Sequence, residues 1–207
     1  ALAGSLGHAH LPEGLEAGKD DGGAPYLVRK FVRGESVGAR LARTGALPVP
    51  AAVEIAAEVA NALVATHARD LYHHAITPGR IFIADRGADE GAVLLLDFGA
   101  RHLGPPPDGE PYQAPEQRDP KRASPPDGRA DLYSGAAVLF ECLTGKVPPI
   151  GFTTPPSAKE LRPEVTDELS GLVAQAMMPN PDDRFQEAQA LFNALRRATF
   201  GMEKKGI

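Results

Sequence analysis

The chain has 207 residues, of which 43% are hydrophobic and 24% are charged, the composition of an ordinary soluble globular protein. Its formal net charge of -5 argues against nucleic acid as a main partner, because phosphate binding requires a basic surface. The single cysteine, Cys142, excludes an internal disulfide and fits the reducing cytoplasm, and no apolar run approaches the about 18 residues that direct membrane insertion requires.

The first third of the chain predicts a β-hairpin followed by helices. Residues 26–32 have the apolar and aromatic side chains of a strand, and two glycines before them fit a turn from an earlier strand over 11–17. A short helix is expected over 37–43. The clearest helix is predicted over 51–68, because apolar residues recur every four positions from Ile55 onward.

The rest of the chain predicts a second hairpin and three more helices. Short strands over 80–84 and 92–96 are separated by an Asp- and Gly-rich turn, which is typical of a hairpin. Residues 131–143 are apolar on nearly every side and end at a glycine cap, so we expect a helix buried in the middle of the domain. Further helices are predicted over 168–178 and 185–199.

Five short motifs follow one another in a definite order. They are His73-His74-Ala75, Asp97-Phe98-Gly99, Ala114-Pro115-Glu116, Asp131 at the head of the buried helix, and Arg184 before the last helix. Their order and spacing resemble the C-terminal lobe of bacterial Ser/Thr protein kinases, whose motifs include H-R-D, D-F-G and A-P-E. The resemblance covers about residues 5–198.

The resemblance implies an α+β fold with a mainly helical, kinase-like C-terminal lobe, short β-hairpins and a truncated N-lobe. It divides the chain into a remnant of the N-lobe and hinge at 1–33, the C-lobe at 34–199, and a tail or linker at 200–207. The Gly-rich phosphate loop and the ATP-binding lysine of the family should lie before this segment, and neither is present in the 207 residues.

Three positions of the loop that resembles the catalytic loop lack the family's chemistry. The catalytic Asp of the family falls on Ala75, its lysine on Thr77 and its metal-binding Asn on Arg80. A methyl group cannot accept a proton, and Arg80 places a permanent cation where a metal ion would bind. The resemblance therefore implies a degenerate member, a pseudokinase that is not an enzyme.

The residues that fall beside the nucleotide site of the family suggest that this chain binds no cofactor. Arg29 and Phe82 fall beside the adenine pocket of the family, where large side chains would occupy the space of the purine. The motif Asp97, Phe98, Gly99 would then be vestigial. The alternative is an atypical ATP-binding enzyme of the kinase family that uses Asp97 with an unusual metal arrangement.

Four residues are expected to be structural. In the family, the residues at Glu116 and Arg184 form a buried ion pair, the residue at Asp131 holds the backbone of the catalytic loop, and His73 would be a core histidine hydrogen-bonded near that Asp. Neighbouring histidines occur in two places, but neither set is completed by a Cys or an acidic cluster, so no metal is expected.

These features together predict a protein-binding, scaffold or regulatory module in bacterial signalling, located in the cytoplasm. The strand 26–32, which begins with Tyr26 and ends with Val32, would have an unpaired edge on the face left by the missing N-lobe strands, so we expect another protein to bind there. A further alternative is the intracellular regulatory domain of a larger membrane receptor, tethered through a segment outside this chain.

Overall fold

The computed structural model describes residues 6–85, 91–98, 109–119 and 125–205. Within these ranges the strands are β1 (Gly14–Lys19), β2 (Pro25–Arg29), β3 (Gly34–Ser36), β4 (Ile81–Ala84) and β5 (Val93–Leu95). The helices are α1 (Val37–Thr44), α2 (Val49–His67), α3 (Pro115–Arg118), α4 (Gly128–Thr144), α5 (Ala158–Leu161), α6 (Asp167–Ala176) and α7 (Ala188–Lys205). The predicted α+β fold, mainly helical with small sheets, is confirmed.

Helix α4 forms the centre of the core. Its buried side chains include Leu132, Tyr133 and Phe140, and it packs against α2, α6 and α7. The helix ends at Gly145, which has a left-handed backbone (φ 67°) and donates its N–H to the carbonyl of Glu141 at 2.7 Å. The prediction of a central buried helix that ends at a glycine is confirmed. A helix that is apolar on every side is stable only where other elements cover all of its faces, in the core.

Helix α2 is the second core helix. Among the described helices it alone is long and apolar enough to cross a bilayer by length and composition, with 19 residues and a mean hydropathy of 1.4. Over half of that window, 56%, is buried inside the fold, where α2 packs against α4 and α7. This is the environment of a core helix, whose apolar face is covered by other helices.

The two sheets are separate and antiparallel. Strands β1 and β2 form the first predicted hairpin, with an irregularity between Gly14 and Glu16, although β1 starts later than predicted and β2 ends at Arg29 rather than Val32. Strands β4 and β5 form the second predicted hairpin. Strand β3 was not predicted, since only its pairing with β4, a contact distant in sequence, makes it a strand.

Gly34 permits the pairing of β3 with β4. Its backbone has a φ of 144°, a conformation that other residues rarely adopt. A Cβ atom added there would lie 2.1 Å from the carbonyl oxygen of Ile83 and 2.9 Å from the ring of Phe82. The missing side chain therefore lets β3 approach β4, which carries Phe82 towards the site described below.

A buried ion pair ties α3 to the helical core. The guanidinium of Arg184 donates to both carboxylate oxygens of Glu116, at 2.6 and 2.7 Å. It also donates to the carbonyls of Met178 and Pro179, and it lies 4.9 Å from the ring centroid of Tyr133. This set of partners compensates a cation that is only 3% exposed.

The last helix begins later and continues further than predicted. Helix α7 starts at Ala188 rather than at 185, because the side-chain amide of Gln186 donates to the carbonyls of Pro181 and Arg184 and holds the chain outside the helix. The helix continues to Lys205. The division of the chain into units at 1–33, 34–199 and 200–207 stays a prediction.

Replacing Gly34 with alanine should destabilise the fold more than replacing Gly45. Both glycines have positive φ, but nothing lies within 4 Å of a Cβ at Gly45. We expect Gly45→Ala to lower the free energy of unfolding by about 1 kcal/mol through backbone strain alone. Gly34→Ala adds the clash with Ile83 and should lose at least about twice as much, measured by urea unfolding. Equal losses would contradict this role of Gly34.

Replacing Glu116 with alanine should be strongly destabilising, because it leaves Arg184 as a buried cation without its carboxylate. We expect a loss of about 3–5 kcal/mol in the free energy of unfolding. The matched control is Glu54→Ala, which breaks a pair with Arg196 at 3.0 Å that is 47% and 37% exposed. Pairs of that kind contribute less than about 1 kcal/mol. Urea unfolding of both variants measures the two losses in the free energy of unfolding. Similar losses would show that burial of the ion pair does not determine its contribution to stability.

Candidate functional site

The loop that follows α2 is held by one buried carboxylate, Asp131, in the first turn of α4. Its Oδ2 accepts the backbone N–H of His73 at 2.8 Å, and its Oδ1 accepts that of His74 at 2.6 Å. The ring of His67 donates from Nε2 to Oδ2 at 3.0 Å. Burial by itself would raise the pKa of Asp131, but the hydrogen bond from His67 and the nearby His74 ring outweigh it, so the pKa lies below its ordinary value.

The loop and the start of the next segment contain strained backbone. His74 has a φ of 56° and Asp97 a φ of 64°, values in the left-handed region that non-glycine residues seldom adopt. Such residues persist only where surrounding contacts fix them. For His74 the fixing contacts are its amide hydrogen bond to Asp131 at 2.6 Å and the hydrogen bond that the Gln117 amide donates to its carbonyl at 2.9 Å.

His73 links the loop to the sheet. Its side chain is fully buried, its Nε2 donates to the carbonyl of Leu96 at 2.7 Å, and its ring meets that of Phe98 edge to face at 4.6 Å between centroids. Within the described part of the chain its Nδ1 has no hydrogen-bond partner. Burial lowers the pKa of His73 below its ordinary value, so the ring is neutral with its proton on Nε2.

The three positions with altered side chains lie within or directly after this loop. Ala75 and Thr77 are buried, and their carbonyls accept from the Arg80 guanidinium at 2.8 Å and from the Arg80 amide at 3.0 Å. Neither Ala75 nor Thr77 carries a carboxylate or an ammonium group. Arg80 therefore stabilises the loop by donating hydrogen bonds to two of its carbonyl groups.

Arg29 and Arg80 converge on Asp97. Their Nε atoms lie 3.6 and 3.9 Å from the two carboxylate oxygens of Asp97, distances beyond those of a hydrogen bond. Phe82 is half-buried on β4, opposite Leu94 of β5. The roles given to Arg29 and Phe82 beside an adenine pocket stay predictions, and Gly99 lies outside the described residues.

Sequence reasoning missed the contribution of the end of α2. The ring of His67 reaches Asp131 because Gly128 leaves room, since a Cβ at Gly128 would lie 2.7 Å from His67 Nδ1. His67 and Tyr72 also line a cavity of about 500 Å³ between α2, α4 and α7. The sequence shows only that Gly128 precedes an apolar helix, and this does not indicate that His67 lies beside it.

The histidines do not form a metal centre in the described residues. His10 contacts Glu58 through Nε2 and the carbonyl of Val93 through Nδ1, and His73 is engaged with Leu96. In those parts of the chain no group of three or more His, Cys, Asp and Glu side chains has an arrangement that could hold a metal ion.

The buried His73 predicts a pH dependence of stability. Because its pKa is lowered in the native state, the unfolded chain takes up a proton that the native state excludes once the pH falls below about 6.5. The free energy of unfolding should therefore decrease as the pH falls from 7 towards 5. In His73→Gln, whose amide can still donate but does not titrate, this decrease should be smaller, by up to about 1 kcal/mol per pH unit. Identical slopes in chemical unfolding at each pH would contradict the assignment.

Comparison with known proteins gives clear relatives. The chain is 30% identical over 195 residues to the serine/threonine-protein kinase Pkn1 of Myxococcus xanthus, and 32% identical over 197 residues to PknB of Mycolicibacterium smegmatis. Each alignment covers 84% of this chain but only 27% and 30% of those proteins, so the chain spans less than a third of their length. No family model matches the chain.

These relatives correct one prediction. The inference from Ala75, Thr77 and Arg80 that the chain is not an enzyme is wrong by the evidence of its relatives, which are named serine/threonine-protein kinases. The prediction relied on the side chains at three positions of one loop. The similarity to the kinases extends over most of the chain, and three positions are too few to outweigh it.

Solved structures agree in fold. The kinase domain of PknI from Mycobacterium tuberculosis matches with a TM-score of 0.79 and 28% identity, over 94% of this chain and 74% of that one. A double mutant of the same domain matches with a TM-score of 0.80 over 95% and 75%. The ordered motifs, the fold and the relatives lead to one conclusion: the homologues of this chain are bacterial serine/threonine protein kinases, and it shares the fold of their kinase domains.

Proposed function

We propose that the chain acts in bacterial signalling as a protein-binding regulatory module, and that its partner docks on the β1–β2 hairpin. The observation that carries the proposal is a set of four exposed apolar side chains on and beside this hairpin, which we call the hairpin surface: Leu15, Tyr26, Val28 and Phe31. The exposure of Phe31 reaches 82%. Tyr26 and Val28 are two residues apart on β2 and so share a face of the hairpin, and exposed apolar patches mark interaction sites.

The backbone of the hairpin favours the same use. In the described part of the chain β1 and β2 pair only with each other, so each strand has a second edge with unpaired N–H and C=O groups. A two-stranded hairpin is marginal by itself, and a third strand from another protein would both pair an edge and cover apolar side chains. The hairpin therefore offers main-chain affinity and side-chain specificity together.

Site-specific photo-crosslinking tests the proposal in the organism that carries the gene. A photoreactive phenylalanine analogue placed at Phe31 or Val28 of the full-length protein should give the same covalent adduct with one other protein. The matched control places the analogue at Ile150, which is 51% exposed but distant in sequence from the hairpin. We expect no such adduct from Ile150.

The partner found in this way is then titrated against variants in vitro. Phe31→Ser combined with Val28→Ser should weaken binding at least about tenfold, the effect expected when central apolar anchors are lost. Ile150→Ser should leave the affinity within about twofold. Adducts of equal yield from all three positions, or affinity that the double variant does not change, would overturn the proposal.

A further inference from the structure

We propose that protonation of His10 controls how firmly the β1–β2 hairpin is attached to the rest of the fold. His10 lies in the segment that leads into β1, residues 8–13, which we call the anchor segment. Two acceptors face its two ring nitrogens. The carbonyl oxygen of Val93 lies 2.9 Å from Nδ1, and the carboxylate of Glu58 on α2 contacts Nε2. The proposal concerns the attachment of the hairpin and does not depend on a partner at the hairpin surface.

Only a doubly protonated imidazole satisfies both acceptors. A neutral imidazole donates from one ring nitrogen and has a lone pair at the other. With a single ring proton, His10 would place that lone pair against either the carbonyl of Val93 or the carboxylate of Glu58. The side chains of His10 and Glu58 are only 16% and 20% exposed, so water replaces a lost hydrogen bond poorly. Deprotonation of His10 therefore breaks one of the two contacts.

The charged groups on the neighbouring helices leave the Glu58 carboxylate to His10. Glu54 lies one turn before Glu58 on α2, and its carboxylate accepts from the Arg196 guanidinium of α7 at 3.0 Å. Burial raises the pKa of Glu54, and its hydrogen bond to Glu58 adds to the effect, although Arg196 opposes it. Glu54 thus has a cation of its own, and Glu58 is the carboxylate that favours a charged His10.

The other histidine of the anchor segment has the opposite requirement. Nδ1 of His8 accepts the backbone N–H of His10 at 3.3 Å, which requires a lone pair on that nitrogen. Burial and, secondly, the neighbouring His10 lower the pKa of His8 below its ordinary value. The two rings lie 5.5 Å apart between centroids. A single positive charge on the two rings, carried by His10, therefore fits all of these contacts.

The anchor segment links His10 to both sheets. The carbonyl of His10 accepts the N–H of Leu95 on β5 at 2.9 Å, and Leu11 is buried in the core. The carbonyl of Glu13 accepts the N–H of Lys30, which follows β2, at 3.0 Å. Strand β1 begins at the next residue. When His10 loses a contact, the hairpin keeps its own strand pairing but loses part of its attachment to β5 and α2.

The direction of the pH dependence distinguishes His10 from His73. The contacts of His10 need its second proton, so they are present at low pH and lost as the pH rises. The pKa of His73 is lowered by burial, so its contribution to stability is lost as the pH falls. Weakening at high pH that is confined to the anchor segment therefore reports on His10.

Hydrogen exchange of the full chain, resolved for each amide, measures the attachment. The protection factor of the Leu95 amide reports on its bond to the His10 carbonyl. From about pH 6 to about pH 8, the range in which histidine gives up its proton, this factor should fall about tenfold, the effect of losing one charge-assisted hydrogen bond. The amide of Leu139 within α4 is the internal control, and its protection should not fall. Unchanged protection of Leu95 would overturn the proposal.

Substitutions assign the effect to one ring. In His10→Gln, which does not titrate, the protection of Leu95 should be low and independent of pH. The matched control is His8→Gln, whose side-chain oxygen can still accept the His10 amide, and here the fall should remain. Glu58→Gln should move the fall to lower pH, because it removes the charge that favours the imidazolium. A fall that persists in His10→Gln, or that disappears in His8→Gln alone, would overturn the assignment. Leu139 protection verifies that each variant is folded.

Discussion

The hydrogen bonds of the Asp131 carboxylate are the contacts on which the site depends. A fully buried carboxylate is unfavourable unless donors compensate it, and here two successive backbone amides and one imidazole do so. The compensation is reciprocal. Without Asp131 the amides of His73 and His74 would be buried without an acceptor, and the left-handed backbone of His74 would keep only the hydrogen bond from Gln117 to its carbonyl.

The backbone of the loop is thus fixed separately from its side-chain chemistry. Hydrogen bonds to Asp131, from His73 to the carbonyl of Leu96, and from Arg80 to the carbonyl of Ala75 determine its path. None of them involves the side chain of Ala75 or Thr77. The same loop path can therefore be kept while these positions vary, and the altered residues are a weak guide to the class of the whole protein.

The sequence predicted those parts of the fold that depend on local patterns. The central helix, the helix over α2 and both hairpins follow from apolar spacing and turn residues, and the order of the motifs indicated the kinase-like fold. Strand β3 was missed because Gly34 becomes part of a strand only by pairing with β4, some fifty residues later. His67 was missed for a similar reason, since its contact with Asp131 depends on the space left at Gly128. Three-dimensional proximity also brings Arg29 and Arg80 to one carboxylate, and no spacing in the sequence encodes it.

The carboxylates of Asp131 and Asp97 are compensated by two different kinds of contact. Asp131 is compensated by directional hydrogen bonds at 2.6 to 3.0 Å, and each depends on the exact position of its donor. Asp97 is compensated by two cations beyond hydrogen-bond distance, through an electrostatic attraction that varies slowly with position. An incoming anion cannot replace Asp131 without breaking the loop. The carboxylate of Asp97, in contrast, has no hydrogen bond from the described residues, so no single donor fixes its position.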